Sequence, residues 1–581
     1  MMHQNASSLR QGGGGQQGSQ QSQGQNQNHQ QQRRRAEVQP YTEQQRAFIE
    51  SHIETIKQDA DMMAKQTIEP TLQTRKKIMS IIMDYVRTHK RKVYGGVAIN
   101  ALVRAKSPSN AFYDDATDVA DIDFYTPYPV QDIKGICDAL RDNGIKYVEG
   151  KEAQHVETFT IHATYWKCCD ISYVQSAIYK KIPVVDELDD GMVYTHPNFM
   201  FIDFLRILND PLTSYFRLDK SFPRFTKLHQ LYPLEGPSRY IDVHRAATDV
   251  FGSPASERSK KIRIARRVLM DFLPNSNAVV IGMNAYNSIM DLASVKGYVG
   301  AALNPTHNAI LIEILTTEFA SDVAKLFALL TSEVPDVQYT EYHSFYDFLG
   351  HRGQFSLPHP RQTGGPGDDP PVVLRVFDNK HKCVPFMEVP IVVPPLVVGP
   401  SKSGDPAKPE IVHAKVGTFT VTVMYLMIMR FRVRVENRGK NIDAITVIMY
   451  DNMIANLYGA RAVYLSSRGK SLLDNTPFKE FVLPCVGDAL HALRINHMVQ
   501  EERFRRYRQR GLKYNPDKNR SIEPYQFSNS SGNIINSPRD RFFNPPGSSS
   551  AESPPQESSS AAVQNSSAPP ANDSATTNSP E

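Results

Sequence analysis

Two aspartates one residue apart, Asp121-Ile122-Asp123, lie inside the apolar stretch Val119-Ala120 to Phe124-Tyr125, and that placement limits what this chain can fold into. Apolar flanks make the segment a strand rather than an exposed turn. On a strand, residues two apart share a face, so both carboxylates point one way while Ile122 and Phe124 point into a core. Upstream, Val93-Tyr94-Gly95-Gly96-Val97-Ala98-Ile99-Asn100 reads as a strand end, a turn without side chains and the head of a helix. Downstream, Trp166-Lys167-Cys168-Cys169-Asp170-Ile171-Ser172-Tyr173 reads as a strand whose carboxylate, Asp170, can reach the same face. Three acids on one edge repel each other unless a cation lies between them. Mg²⁺, held by carboxylates, water and substrate phosphates, is the common solution. A diglycine turn lets backbone N–H groups approach a phosphate, with the helix dipole behind them. Alone, Asp-x-Asp is a weak motif and Gly-Gly an ordinary turn. In this order, with a third acid inside an apolar run, metal ligation outweighs a sheet edge that is merely capped by acids.

The 581 residues exceed one core, so two folded domains plus tails are expected. Residues 1–36 (Gln/Gly/Asn-rich) and 524–581 (Ser/Pro/Asn-rich) have the composition of disordered tails. Between them we expect a helical segment at 37–92, a first domain at 93–274 and a second at 275–523. Pro70 divides the helical segment. Helices are expected over Val97–Arg104, Val130–Asn143, Asn198–Leu208, Arg239–Leu273 and Asp443–Leu457. Strands are expected over Val119–Tyr125, Lys146–Glu149, Thr158–Thr164 and Cys168–Val174, then Ala278–Ile281, Ala309–Leu315, Val372–Phe377 and Cys383–Val393. The second half loosely echoes the first, without a matching diglycine or Asp-x-Asp. Two Pro/Gly-rich loops, Pro358–Pro371 and Pro395–Pro409, are expected to be mobile.

Lys plus Arg number 66 against 61 acids, a formal charge of +5, so distribution matters more than the total for a polyanionic partner. Five cysteines without paired metal spacing suit a reducing compartment, and no signal peptide is apparent. The most apolar run, Val421–Met429, is too short to span a bilayer. These features suggest a soluble intracellular protein. Arg503-Phe504-Arg505-Arg506-Tyr507-Arg508 interleaves cations with aromatics, which suits single-stranded RNA and also an ordinary amphipathic helix. No zinc, Gly-x-Ser-x-Gly or Walker A pattern is present.

The order Gly-Gly, helix, Asp-x-Asp and later Asp resembles the DNA polymerase β-type nucleotidyltransferase superfamily. The wording YGGVAINALV, DVADIDFYTP, CCDISYV and DPLTSYFRLDKSFPRFTKLH is similar to the poly(A) polymerase catalytic subunits of large nucleocytoplasmic DNA viruses, of the pox, asfar and giant-virus kind. The resemblance runs from Tyr41 to Arg520 and is sharpest between Tyr94 and Arg224. Ser107–Asp118 is an extra polar loop where many superfamily members have a short gap.

The resemblance implies an α/β (α+β) fold: a nucleotidyltransferase-type mixed sheet with packed helices, then a degenerate nucleotidyltransferase-like domain. It implies transfer of AMP from ATP to the 3′ end of mRNA. By two-metal logic Asp121, Asp123 and Asp170 would hold two Mg²⁺ (or Mn²⁺) ions roughly 3.5–4 Å apart. Gly95 and Gly96 would cradle the triphosphate, with Asn100, Arg217 and Lys220 as further nucleotide-binding candidates and Tyr215 stacking on the base. For Asn100, Arg217 and Lys220 a solvated helix face is as good a reading. Arg503, Arg505, Arg506, Tyr507 and Arg508 are the RNA-binding candidates. A homodimer or a processivity subunit, no membrane partner, and a location in the host cytoplasm (viral factory) or the virion complete the expectation. A uridylyl- or tRNA-end-adding enzyme, and a non-catalytic RNA-binding scaffold, remain as alternatives.

Overall fold

The computed structural model describes residues 40–518 apart from 115, 154–157, 186–187, 253–254, 299–310, 343–344, 346–350, 359–370, 380–382, 397–409, 437–440 and 488–512. Both expected tails, nearly all of the two Pro/Gly-rich loops and residues 503–508 lie outside the described residues. The chain divides between Ala64 and Lys65 into two units. Helix α1 (Glu43–Thr67) makes up the described helix of the first and buries no side chain. Everything below concerns the second.

Helix α2 (Leu72–Thr88) starts beyond Pro70, where the Thr71 hydroxyl accepts a hydrogen bond from Thr74 N (3.3 Å). Then come β1 (Lys92–Tyr94), α3 (Gly95–Lys106), β2 (Ile122–Thr126), α4 (Pro129–Asp142), β3 (Glu149–Glu152), β4 (Thr158–Ala163) and β5 (Trp166–Tyr173). They are followed by α5 (Ser176–Lys181), β6 (Val184–Val185), β7 (Val193–Thr195), α6 (Pro197–Leu208), α7 (Pro211–Ser214) and α8 (Leu218–Leu231). The second half begins with α9 (Val243–Phe251) and α10 (Ala255–Arg267), then β8 (Val279–Ile281), α11 (Gly282–Ala293), β9 (Ile312–Thr316) and α12 (Phe319–Glu333). It continues through β10 (Gln338–Tyr342), β11 (Arg352–Ser356), β12 (Val372–Asp378), β13 (Val384–Val392), β14 (Ile411–Gly417), α13 (Phe419–Glu436), α14 (Asn441–Arg468), β15 (Cys485–Val486) and β16 (Lys513–Tyr514).

Among the described residues these strands form two mixed eight-stranded sheets, ordered β16-β3-β4-β5-β2-β1-β7-β6 and β10-β11-β12-β9-β8-β14-β13-β15. The expected mixed α/β architecture is therefore present twice. From Phe419 to Met429, helix α13 is apolar on every side and buried, as a helix without a polar face must be, before its last turns carry Arg430, Arg432 and Arg434. It packs on α6 and α14, and Thr420 Oγ1 donates to the buried Asn209 Oδ1 at 2.6 Å. No helix among the described residues is long and apolar enough to cross a membrane.

The second sheet repeats the first in detail. In each, a strand runs into a left-handed glycine that opens a helix: Gly95 (φ 73°) after β1 and Gly282 (φ 64°) after β8. The next strand returns antiparallel, with Tyr94 opposite Asp123 and Ile281 opposite Glu313. A threonine then ends that strand and takes the backbone N–H two residues on: Tyr128 N donates to Thr126 Oγ1 (3.0 Å), and Glu318 N to Thr316 Oγ1 (3.1 Å). Six residues past each threonine, Asp132 and Asp322 are buried in the first turn of α4 and α12. The matching sequence is Val-x-Gly-x-x-Ala-x-Asn, at 93–100 and 280–287. As expected, the second half has neither a diglycine nor an Asp-x-Asp at the matching places, but one glycine of the pair, the one needing positive φ, has its counterpart in Gly282.

Other differences from expectation are local. Strand β3 starts at Glu149 rather than Lys146, because Tyr147 has a left-handed backbone (φ 53°) that no strand accommodates. The long helix expected over Arg239–Leu273 is interrupted at Gly252, which ends α9. Cys383 and Cys485, expected as free thiols, form a disulfide joining the neighbourhood of paired strands β13 and β15, while Cys137, Cys168 and Cys169 are buried and free.

Candidate active site

Parallel pairing of β2 with β5 places Asp123 directly opposite Asp170, and Asp121 precedes β2 on the Asp123 face. One carboxylate oxygen from each of the three lies within 4.8 Å of the others. Burial, then the charges of Asp121 and Asp170, push the Asp123 carboxyl well above its ordinary value against the opposing pull of Lys167 and Lys220. Asp170 Oδ1 is buried with no hydrogen-bond partner. Lys167 Nζ bridges the set, 2.7 Å from Asp170 Oδ2 and 3.1 Å from Asp121 Oδ2. Partial burial opposes the Lys167 charge, but its hydrogen bond to Asp170 and the two acids raise its pKa above the ordinary value. An all-oxygen donor set, an orphaned carboxylate oxygen and an ammonium drawn in as counter-ion together fit a hard divalent cation.

Lys167 and Asp170 are an odd number of residues apart and would face opposite ways on a regular strand. The pairing shifts between Ile161 and His162, whose partners on β5 are Cys169 and Lys167, so Cys168 is an inserted residue. This bulge turns Lys167 onto the acid face. It also accounts for Cys168 and Cys169 both being fully buried.

Gly95 is required twice over: its φ is positive, and a Cβ there would collide with Asp123 Oδ2. Helix α3, twelve residues long, has no side-chain cap at its N-terminus, leaving its first N–H groups available beside the acids. A Cβ on Gly96 would meet Tyr113 Oη and, at 3.3 Å, Arg224 Nη1. Arg224 Nη1 donates to Tyr113 Oη (2.8 Å), and its guanidinium lies 5.0 Å from the Tyr113 ring centroid. Lys220, Arg224 and Lys227 follow at helical spacing on α8. Lys220 acts on Asp123 and Lys227 sits 5.5 Å from the Phe112 ring, so this face of α8 looks onto the glycine turn and its loop.

Asn100 does not face the open edge. It is buried, and its Oδ1 accepts from Phe112 N (2.6 Å) and Tyr113 N (3.1 Å), pinning the extra polar loop onto α3. That contact is what carries Tyr113 to Gly96. Tyr215 and Phe216 are exposed and edge-on to each other, with the Arg217 guanidinium 5.6 Å from the Phe216 ring. Arg217, with helical backbone, ends a short turn that runs into α8 three residues before Lys220. Lys167, Arg224 and Tyr113 were missed as site residues. The Lys220-x3-Arg224-x2-Lys227 spacing was legible for Arg224, but nothing local announces Lys167 or Tyr113.

The second sheet has lost this chemistry by three replacements. Leu311, buried, stands at the Asp121 position, Glu313 at that of Asp123, and Arg375, opposite Glu313 in β12, at that of Asp170. Arg375 Nη1 lies 3.0 Å from Glu313 Oε1, both nearly inaccessible. Burial opposes the Arg375 charge, and the Glu313 carboxylate outweighs it. An internal cation thus occupies the position where the first sheet has a third acid.

On the expectation that a nucleoside triphosphate binds beside Gly96, Arg224→Ala should raise the KM for ATP about 10- to 100-fold, the worth of a charged hydrogen bond to phosphate. The melting temperature should change little. Steady-state kinetics over an ATP series checks this, and an unchanged KM removes Arg224 from the phosphate site.

Residues 80–214 match the family profile "Poly(A) polymerase catalytic subunit", and residues 258–544 match "APMV, Putative poly(A) polymerase, catalytic subunit, C-terminal". A relative from Acanthamoeba polyphaga mimivirus, named "Putative poly(A) polymerase catalytic subunit", is 29% identical over 527 residues, covering 87% of this chain and 84% of the relative. A protein of the same name from African swine fever virus is 24% identical over 162 residues, 27% of this chain and 33% of that one. The crystal structure of the Megavirus polyadenylate synthase superposes with a TM-score of 0.67 at 27% identity, covering 84% of this chain and 89% of that one. Matched in both halves by profiles of one enzyme subunit, and sharing most of its fold with a polyadenylate synthase, the chain belongs to the poly(A) polymerase catalytic subunit family of giant viruses and African swine fever virus.

Proposed function

We propose that this chain is a template-independent poly(A) polymerase that adds AMP from ATP to the 3′ end of viral mRNA at the edge formed by Gly95, Asp121, Asp123 and Asp170. The observation that carries this reading is the convergence of three carboxylates beside an uncapped helix N-terminus on a fold shared with a polyadenylate synthase. Asp121, Asp123 and Asp170 would hold Mg²⁺ or Mn²⁺, and what two such ions supply is neutralisation of the attacking and leaving oxygens. The first N–H groups of α3, Lys220 and Arg224 bind the triphosphate and hold its α-phosphorus toward the acids. The RNA 3′-hydroxyl oxygen bonds to that phosphorus as the bond to pyrophosphate breaks. Asp170, with its unpartnered Oδ1, takes the hydroxyl proton. Pyrophosphate leaves against Lys220 and Arg224, and no covalent enzyme intermediate forms.

The test is extension of a short 5′-labelled RNA with each NTP separately, in Mg²⁺ or Mn²⁺. A long ladder with ATP alone supports the reading. A ladder with UTP, or a stop after a few additions, keeps the chemistry and replaces the substrate. RNA binding without extension by any nucleotide turns it into a scaffold. Light scattering of the same preparation, with and without RNA, tests whether processivity comes from a homodimer or needs a separate processivity subunit.

A further inference from the structure

We propose that Tyr147 and Tyr165 form a stacking platform for the single-stranded RNA that leads to the reacting 3′ end, a subsite separate from the phosphate side at Gly96. The inference rests on the polymerase reading above for the identity of the nucleic acid.

The two rings are stacked on each other, 4.8 Å between centroids and 27° between planes, yet they are 58% and 77% exposed. Tyr147 (φ 53°), Thr164 (φ 50°) and Tyr165 (φ 65°) all have left-handed backbones. For Thr164 and Tyr165 the hairpin between β4 and β5 requires it, since Ala163 pairs with Trp166 and leaves these two residues as the turn. Tyr147 stands between the buried Ile145 and Val148, so its ring is turned out while its neighbours enter the core. The two turns thereby present two aromatic faces to solvent side by side. The turns are tied together, since Thr164 N and Oγ1 both donate to Lys146 O, at 3.0 and 3.3 Å.

The platform adjoins the acids. Tyr165 is followed by Trp166 and then Lys167, whose ammonium touches Asp121 and Asp170, and the five residue steps from Tyr165 to Asp170 span at most about 16 Å along the strand. Cations sit on the flanking elements. The Arg75 guanidinium is 5.4 Å from the Trp166 ring, Lys77 Nζ reaches Asn143 O at 2.8 Å, and Lys146, next to Tyr147, is exposed. Outside the triad, two nearby acids are paired: Arg141 with Asp142, and Lys151 and Lys513 with Glu149. Exposed ring faces in a cationic surround are what sequence-tolerant single-strand binding uses, the cations neutralising phosphates and the rings stacking on bases. A protein partner would need an apolar patch around the tyrosines, and this rim is charged instead.

The test uses the full chain, a fluorescein-labelled single-stranded RNA and no ATP, read by anisotropy. Tyr147→Asn and Tyr165→Asn remove each ring and keep a residue that tolerates left-handed backbone, so the turns survive. Each should raise the RNA Kd about 5- to 100-fold, and the Phe variants should bind like the parent. Trp166, the chain's one tryptophan, should report RNA through a change in emission that Tyr165→Asn weakens. Asn variants that bind RNA within twofold of the parent overturn the proposal. A change of oligomeric state in those variants with RNA affinity intact overturns it in favour of a protein contact. A parent chain that binds RNA but adds no AMP sinks the polymerase reading and leaves the platform standing.

Discussion

The Asp121→Ala/Asp123→Ala chain is expected to fold and bind RNA while AMP incorporation falls at least about 10³-fold, since the lost charge stabilisation is worth several kcal/mol. The same acids make a prediction that needs no catalysis. The metal-free fold holds Asp123 with its pKa raised, by burial first and by Asp121 and Asp170 next. A raised carboxyl contributes stability below its unfolded value of about 4 and loses that contribution as pH rises through the folded value. At neutral pH the raised Asp123 carboxyl therefore weighs against the fold. Mn²⁺ or Mg²⁺ should raise the melting temperature of the parent. Asp123→Asn, which cannot ionise, should raise the metal-free melting temperature and largely remove the metal-dependent shift. Gains from relieving such functional strain are commonly about 0.5–2 kcal/mol. Scanning calorimetry with and without metal measures both. An Asn variant less stable than the parent and still shifted by metal would exclude the triad as the metal site.

The second large effect lies in the other sheet. Arg375→Met leaves Glu313 buried without its counter-ion, and removal of one partner of such a pair costs about 3–5 kcal/mol. Glu313→Leu/Arg375→Met removes both charges and should recover most of that loss, because a buried pair and an apolar pair of similar volume are close in free energy. Denaturant unfolding of the single and double variants reads the difference. AMP incorporation per folded molecule should be unchanged in the double variant, since the pair belongs to the sheet without the acid triad. A single variant as stable as the parent would show that the Glu313–Arg375 pair contributes nothing to the fold.

Much of this site was legible in the linear chain, and the reason is that its parts are local. Asp121 and Asp123 share a face by the two-residue period of one strand, and Gly95 opens the helix next to it. The internal repeat is equally legible at 93–100 and 280–287 as Val-x-Gly-x-x-Ala-x-Asn, although neither a second diglycine nor a second Asp-x-Asp marks it. What the two halves share is one glycine with positive φ, and Glu313 stands where the first half has Asp123. Asn100 shows the limit from the other side. Its position one turn into α3 suggested the nucleotide, whereas the tertiary fold assigns its carboxamide to the backbone of the loop that brings Tyr113 to Gly96.

By itself the sequence determined the strand-turn-helix beginning at Val93, the three acids and the order in which they meet the phosphate turn, because each follows from residue type and short spacing. Only the tertiary structure decided what those acids face. The register of β2 against β5 sets Asp170 opposite Asp123, and a single inserted residue at Cys168 turns Lys167 onto the same face. Arg375 reaches Glu313 across 62 residues of chain. Such pairings depend on strand register and bulges, which are set by the packing of the whole sheet rather than by any local pattern.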